Sequence, residues 1–515
     1  MRLARGGVNG HEMFRGDPYG ADGEKMTKRG CGLAMDDAGD YRYARRRRAI
    51  TVAVSVVATV ALCVGYAVAD MCDVAPGVLT LRHVEHSTAA AAGRSIEAAD
   101  VIADIDASKT IDPAAARALT DAFRASAAGF GGEFSIAIAD ASGNVAAENN
   151  IDVPRTPAST MKTLTAYAAA IELDMGKTLD TQTYLEQSQD GTARLVLKGN
   201  GDMLLGAGAS DANHINGRAG LGTLAGRTAQ ALRQRGITSV TLAYDDTLFG
   251  NDRWPQGIAE LDTDHLYYAP TASMAVDGGR NWNGTGPANP DVFSAYPALS
   301  MQPARDAALV FQQRLAEQGI TVQGFVSQGT VAGASHPLAS VRSASLNEIM
   351  AFTMRHSDNS LAEEFGRLLA LQVGADNSPA GAVQAVKSVL ERKGITTTGL
   401  DMRNCSGLTE DSKLTARTLL EVQLRNLAAG SGAAAAEGMS VMGFVGTAES
   451  RLNDADEAGL IRVKTGSLGD VTSMTGNVSR LNGGALTFAV IVNNPTDFAA
   501  AKAAIDTFVA GLPKL

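Results

Sequence analysis

From Ala49 to Ala69 the chain runs 21 residues without a charge, directly behind the cluster Arg45, Arg46, Arg47 and Arg48. As a helix this stretch would be about 31 Å long, enough to cross the hydrocarbon core of a bilayer. The basic cluster before it, with none after it, places the amino terminus inside and everything that follows outside. A cleaved signal is the rival reading, because Ala67-Val68-Ala69 has the small-x-small form of a cleavage site, and a start at Met26 or Met35 would give a leader of ordinary length. Either way the body is exported. The expected order is therefore a basic tail over 1–48, a transmembrane anchor or signal over 49–69, a stalk or linker over 70–110, where small Ala-rich sequence shows little pattern, and then a folded body.

Charge separates along the same lines. The first 48 residues hold 11 Lys/Arg against 7 Asp/Glu, and the remaining 467 hold 34 against 48. An acidic body lacks the basic stripe that displaces counterions from a phosphate backbone, so nucleic acid is not an expected partner. Of the four cysteines only Cys405 falls in the body, so the core has to hold without disulfides despite its exported location.

Within the body, Leu119, Phe123 and Ala127 recur on one face and predict a helix over 113–127, followed by an alternating strand at Phe134–Ile138. Near the other end, 459–465, 471–479 and 485–493 are apolar and β-rich, and an amphipathic helix closes at 498–509. Strands from both ends can share one antiparallel sheet covered by the terminal helices. Between them, 180–335 is Gly-rich with mixed short elements and reads as an inserted region. The pattern Leu-x-x-x-Gly-Ile-Thr occurs at Leu232, Leu315 and Leu390, which a glycine closing a helix explains without an internal repeat.

Three short motifs could carry chemistry. Ser159-Thr160-Met161-Lys162 opens an Ala- and Leu-rich helical run, which puts the Ser159 hydroxyl near unpaired backbone N–H groups and Lys162 within reach of it. A serine needs an adjacent base at neutral pH, and a desolvated lysine near other cations can be one. Ser357-Asp358-Asn359 forms a polar break between two helical segments, with Asn359 offering an amide to a substrate carbonyl and Ser357 a hydroxyl that can relay a proton. Lys464-Thr465-Gly466-Ser467 ends a strand. There Lys464 adds positive charge, Thr465 and Ser467 add donors, and Gly466 clears space where a ligand backbone would lie. Each motif alone is as readily a helix cap, a loop or a strand end. Ser-x-x-Lys, Ser-Asp-Asn and Lys-Thr-Gly in this order are the set shared by penicillin-binding proteins and class A β-lactamases. The histidines form no His-Glu-x-x-His pattern, and no metal and no cofactor is implied.

The chain resembles the serine D-alanyl-D-alanine carboxypeptidase/endopeptidase family, the class C low-molecular-mass penicillin-binding proteins, over about residues 115–510. Besides the motifs, the resemblance rests on the long gap from Ser159 to Ser357, on Gly199-Asn200-Gly201-Asp202, on the segment from Ser357 to Glu363, on Ser406-Gly407-Leu408 and on Gly446-Thr447. The chain departs from the family at Asn404-Cys405, where Asp-Gly is usual, and at Met203, where Pro is common. The resemblance implies an α/β (α+β) penicillin-recognising fold: an antiparallel sheet flanked by helices, with the catalytic domain over 111–179 and 336–515 and the insertion between the first and second motifs. It implies a Ser159 acyl-enzyme formed on stem peptides ending in D-Ala-D-Ala, β-lactams as inhibitors, an oxyanion hole from the N–H groups of Ser159 and Ser467, and Thr465 and Ser467 holding the terminal carboxylate. A β-lactamase would carry a Glu-x-x-x-Asn loop soon after Ser357-Asp358-Asn359, and none stands there. A silent β-lactam sensor on a membrane anchor would not need all three motifs.

Overall fold

Along the strand Glu133–Asp140, Ile136 and Ile138 alternate with Ala137 and Ala139, all four fully buried. Successive side chains of a strand point to opposite faces, so this strand is covered on both. The isoleucine face packs with Phe488, Val490 and Val492 under the helices Pro113–Phe130 and Phe498–Gly511, where Phe123 meets Phe508 edge-on at 5.8 Å. The alanine face, joined by Ala489 and Ile491, lies in a second core with Leu419 and Val422 of the helix Ala416–Leu427, and its small side chains let that helix approach closely.

The computed structural model describes residues 38–71, 105–187, 192–284, 286–332, 336–428, 430, 432–451 and 457–515. The expected tail up to residue 37 and the expected stalk over 72–104 lie outside the described residues. Two units are present, Met1–Ala92 and Gly93–Leu515. In the first, the helix Ala38–Met71 contains a stretch, Arg46–Met71, long and apolar enough to cross a membrane.

In the second unit the main sheet has six antiparallel strands in the order Ser440–Val441, Ile461–Leu468, Val471–Ser479, Ala485–Asn493, Glu133–Asp140 and Val145–Asn149. Strands from the two ends of the body thus pair directly, with Ile136 opposite Val490. On the alanine side the helix Lys162–Glu172 is buried from Lys162 through Ala170. It is surrounded by Leu346–His356, Asn359–Val373, Pro379–Arg392 and Ala416–Leu427, as an all-round apolar helix must be. A separate five-stranded mixed sheet runs in the order Thr321–Gln328, Ser239–Asp245, Ala193–Lys198, Thr178–Gln187 and Ala339–Ser345, with its own core against the helices Leu221–Arg233 and Pro303–Glu317.

The three Leu-x-x-x-Gly-Ile-Thr segments share one local structure. Gly236, Gly319 and Gly394 have φ of 71°, 76° and 69°, and the N–H of Ile237, Ile320 and Ile395 returns to the carbonyl of Leu232, Leu315 and Leu390. Each is a glycine-terminated helix end, a recurrent local solution.

Candidate active site

Ser159 stands in a single 3-10 turn, Ala158–Met161, that leads into the helix Lys162–Glu172. The turn is clamped from the sheet. Asn493 accepts from Thr156 N–H and donates to Thr156 O, both at 2.9 Å, while Ser473 Oγ donates to Pro157 O at 2.7 Å. Ala158 takes φ 50°, unusual for a residue with a side chain, and persists because its surroundings over-determine it. Two glycines make that possible. A Cβ on Gly407 would sit 2.1 Å from Ala158 O, and one on Gly466 would sit 2.7 Å from Pro157 O. The close approach that Gly466 permits here is that of the strand Ile461–Leu468 to the serine's own turn.

Lys162 is 1% exposed, and its Nζ has three neighbours: Ser159 Oγ at 2.9 Å, Asn359 Oδ1 at 2.6 Å and Ser406 O at 2.8 Å. Two of these are carbonyl-type acceptors that can only receive a hydrogen. A neutral amine has two N–H bonds and one lone pair, so satisfying both carbonyls leaves the lone pair facing the serine hydroxyl. Burial lowers the Lys162 pKa to about 7, against the opposing pull of Glu363 and Asp358. The arrangement therefore provides both a basic lone pair at neutral pH and its aim.

Lys464, fully buried, donates to Ser357 Oγ at 2.9 Å and to Thr465 O at 2.7 Å. Burial, and then the nearby positive charge of Lys162, hold its pKa well below the ordinary lysine range. Ser357 ends the helix Leu346–His356 with φ 56°, and Asp358 caps the next helix by accepting from Leu361 N–H, so the polar break projects Ser357 and Asn359 from between two helices. Thr465 Oγ1 lies 2.7 Å from Thr447 Oγ1, and Ser467 is exposed. Among the described residues, Ile461–Leu468 is paired along its whole length by Val471–Ser479, but on its other side only Arg462 and Val463 are paired, by Ser440–Val441. From Lys464 onward that side is an open edge beside Ser159.

Several residues to which the sequence assigned no role complete the site. Glu363, buried, accepts from the N–H groups of Cys405 at 3.1 Å and Ser406 at 2.7 Å, and so holds the loop whose carbonyl Lys162 uses. Asn404 Oδ1 accepts from Gly407 N–H at 2.8 Å and Ser406 Oγ at 3.2 Å, so the departure from Asp keeps the turn's hydrogen bonds. Cys405 fills the space left by Gly366, where a Cβ would lie 2.3 Å from Cys405 Sγ. Met203 is buried in the core. Gly366→Ala is therefore expected to destabilise the protein by about 1–3 kcal/mol through overpacking, more than the roughly 1 kcal/mol that alanine gains over glycine in a helix. Cys405→Gly in the same chain should recover part of the loss in urea unfolding. An unchanged midpoint for Gly366→Ala alone would reject this packing account.

A hydroxyl held by a desolvated lysine, with a second lysine and an open strand edge alongside, defines a serine enzyme of acyl transfer. Residues 128–293 and 294–514 match the D-Ala-D-Ala carboxypeptidase 3 (S13) family, and the chain belongs to it. It is similar to the carboxypeptidase DacB of Mycolicibacterium smegmatis, 34% identical over 376 residues, which cover 71% of this chain and 76% of that protein. A carboxypeptidase of Mycobacterium tuberculosis is 33% identical over 351 residues, 66% of this chain and 72% of its own length. The fold is that of penicillin-binding protein 4 from Haemophilus influenzae, with a TM-score of 0.62, 19% identity, and coverage of 76% of this chain and 98% of that one. The protein is a serine-type D-Ala-D-Ala carboxypeptidase, a hydrolase of peptidoglycan. That substrate lies outside the cytoplasm, and the stretch Arg46–Met71 is long and apolar enough to cross a membrane.

Proposed function

We propose that Ser159 attacks the carbonyl of the penultimate D-Ala and that Lys162 takes its proton. The observation that carries this is the set of three neighbours around Lys162 Nζ, two of which consume its N–H bonds and leave the lone pair to Ser159. The substrate backbone lies along the open edge from Lys464 to Ser467, as an added strand would. Lys464, Thr465 and Ser467 receive its terminal carboxylate, and Asn359 faces the preceding amide. The N–H groups of Ser159 and Ser467 stabilise the oxyanion. As the tetrahedral intermediate collapses, the C–N bond breaks and the proton that Lys162 took passes by way of Ser357 Oγ, which Lys464 contacts, to the leaving amine, so that Lys162 is neutral again to take a proton from the attacking water. D-Ala, or the amine side of a cross-link, departs, and water frees Ser159 from the ester.

β-Lactams present the same amide to the same hydroxyl and acylate Ser159. The five-stranded sheet belongs to the inserted region assigned to 180–335, and its strands Thr178–Gln187 and Ala339–Ser345, which begin or lie outside those bounds, tie it to the catalytic domain. The apolar helix is a single membrane anchor that keeps the body on the outer side of the cytoplasmic membrane.

The test is a pH profile of D-Ala release from a peptide ending in D-Ala-D-Ala. The neutral amine is the working form, so kcat/KM rises with pH and levels off above about 7, where burial places Lys162. Release that shows no rising limb in this range rejects Lys162 as the base. No release at any pH rejects the proposed function.

A further inference from the structure

Four residues in and around the second motif are gripped by the inserted segment between Tyr267 and Phe293. His356 stacks on Phe293 with ring centres 4.3 Å apart and planes 5° from parallel, and its Nε2 lies 3.0 Å from Asp291 O. Asp358 is ion-paired with Arg280. Asn359 Nδ2 donates to Tyr267 O at 2.9 Å, and Ser360 Oγ accepts from Ala269 N–H at 2.8 Å. Toward the lysines, Ser357 Oγ meets Lys464, and Asn359 turns its other amide atom, Oδ1, to Lys162. Ser357 sits at φ 56°, a conformation that a residue with a side chain keeps only when its neighbours hold it.

Arg280 is the centre of this grip. Its side chain is 8% exposed, like that of Asp358, and its guanidinium lies 4.5 Å above the Phe293 ring and 5.9 Å from the Phe352 ring. One arm reaches Asp358 Oδ2 and the other donates to Asp277 O at 3.1 Å. The second oxygen of Asp358 accepts from Leu361 N–H at 2.9 Å and caps the helix that begins at Asn359. Asp358 thus has one oxygen for the helix and one for the insertion. A planar fork can hold both Asp358 and the Asp277 carbonyl while lying flat on an aromatic ring, which a lysine cannot do. The insertion itself is braced behind Arg280: Asp291 accepts from Ile215 and Asn216 N–H, and Asn216 donates to Asp277.

We propose that Arg280 is a positioning residue for the reaction: acting from the inserted region through Asp358, it sets Ser357 and Asn359 against the two lysines. The inference rests on the proposed roles of those residues. It makes the insertion part of the catalytic apparatus, because the second motif is shaped by side chains that the catalytic core does not supply.

The test is steady-state kinetics of D-Ala release by the full chain in detergent, for wild type, Arg280→Gln and Arg280→Lys, with thermal unfolding to establish that each variant is folded. A displacement of about 1 Å at reacting groups can cost on the order of 100-fold in rate, so Arg280→Gln should lose about that much in kcat while KM changes less than about threefold. Arg280→Lys keeps the charge but reaches one partner, and should fall between the two. A folded Arg280→Gln with wild-type kcat overturns the proposal, as does a loss confined to KM, which would make Arg280 a substrate contact. Should Arg280→Gln not fold, Arg280→Lys decides alone: reduced kcat at unchanged KM supports the positioning role, and wild-type kcat ends it. An inactive wild type counts against the proposed function itself, separately from Arg280.

Discussion

Lys162→Met will slow acylation by on the order of 10²–10⁴-fold, the usual worth of a positioned general base, while the chain stays folded. Methionine is close to lysine in length and apolar, so it fills the buried site with no nitrogen lone pair. The variant leaves Asn359 Oδ1 and Ser406 O without their donor, at a cost of about 1–3 kcal/mol for each buried unpaired group. That cost is tempered because wild type buries an amine that burial already disfavours in its charged form. The rate loss should therefore far exceed any fall in the folded fraction, and acylation by a chromogenic β-lactam measures it without peptide binding. The rising limb near pH 7 should vanish with the lysine. Wild-type acylation by Lys162→Met would assign the proton to another group, with Lys464, also buried and lowered in pKa, the next candidate.

Ser159→Ala is expected to lower kcat for D-Ala release by on the order of 10⁶-fold, as in other units of nucleophile and base. Its structural cost is small, since Ser159 is half-buried and its hydroxyl contributes one hydrogen bond, with Lys162. Because the two residues act as one unit, the double variant Ser159→Ala/Lys162→Met should be no slower than Ser159→Ala alone. An additional loss in the double variant would mean that Lys162 does work independent of the serine.

The motifs were legible because chemistry restricts residue type at fixed local spacing: Lys162 follows Ser159 by one helical turn, and Asn359 follows Ser357 across one helix break. The strands expected at 459–465, 471–479 and 485–493 and the helices at both ends of the body were legible from periodicity, which reports a buried face whatever lies against it, though the first of them runs over Ile461–Leu468. What lies against it was not legible. Arg280 is 78 residues before Asp358, and nothing in its neighbourhood distinguishes it from a solvated arginine; only the folded insertion brings the pair together. Glu363 stood on a helical segment with no sign that it would receive two loop N–H groups from residues more than 40 positions away. Gly466 was legible as a close approach but not as an approach to Pro157, and Cys405 looked anomalous until Gly366 was found opposite it. In each case the missing information is a tertiary contact.

The central claim is that Ser159 is the residue acylated, and intact-protein mass spectrometry after exposure to penicillin tests it most directly. In the opened drug the departing amine stays tethered and obstructs the water that would free the enzyme, so the adduct persists where a peptide acyl group turns over. Wild type should gain the mass of one penicillin, peptide mapping should place it on the segment holding Ser159, and Ser159→Ala should gain none. An adduct that survives in Ser159→Ala, or one mapped to Ser357 or Ser467, would contradict the account.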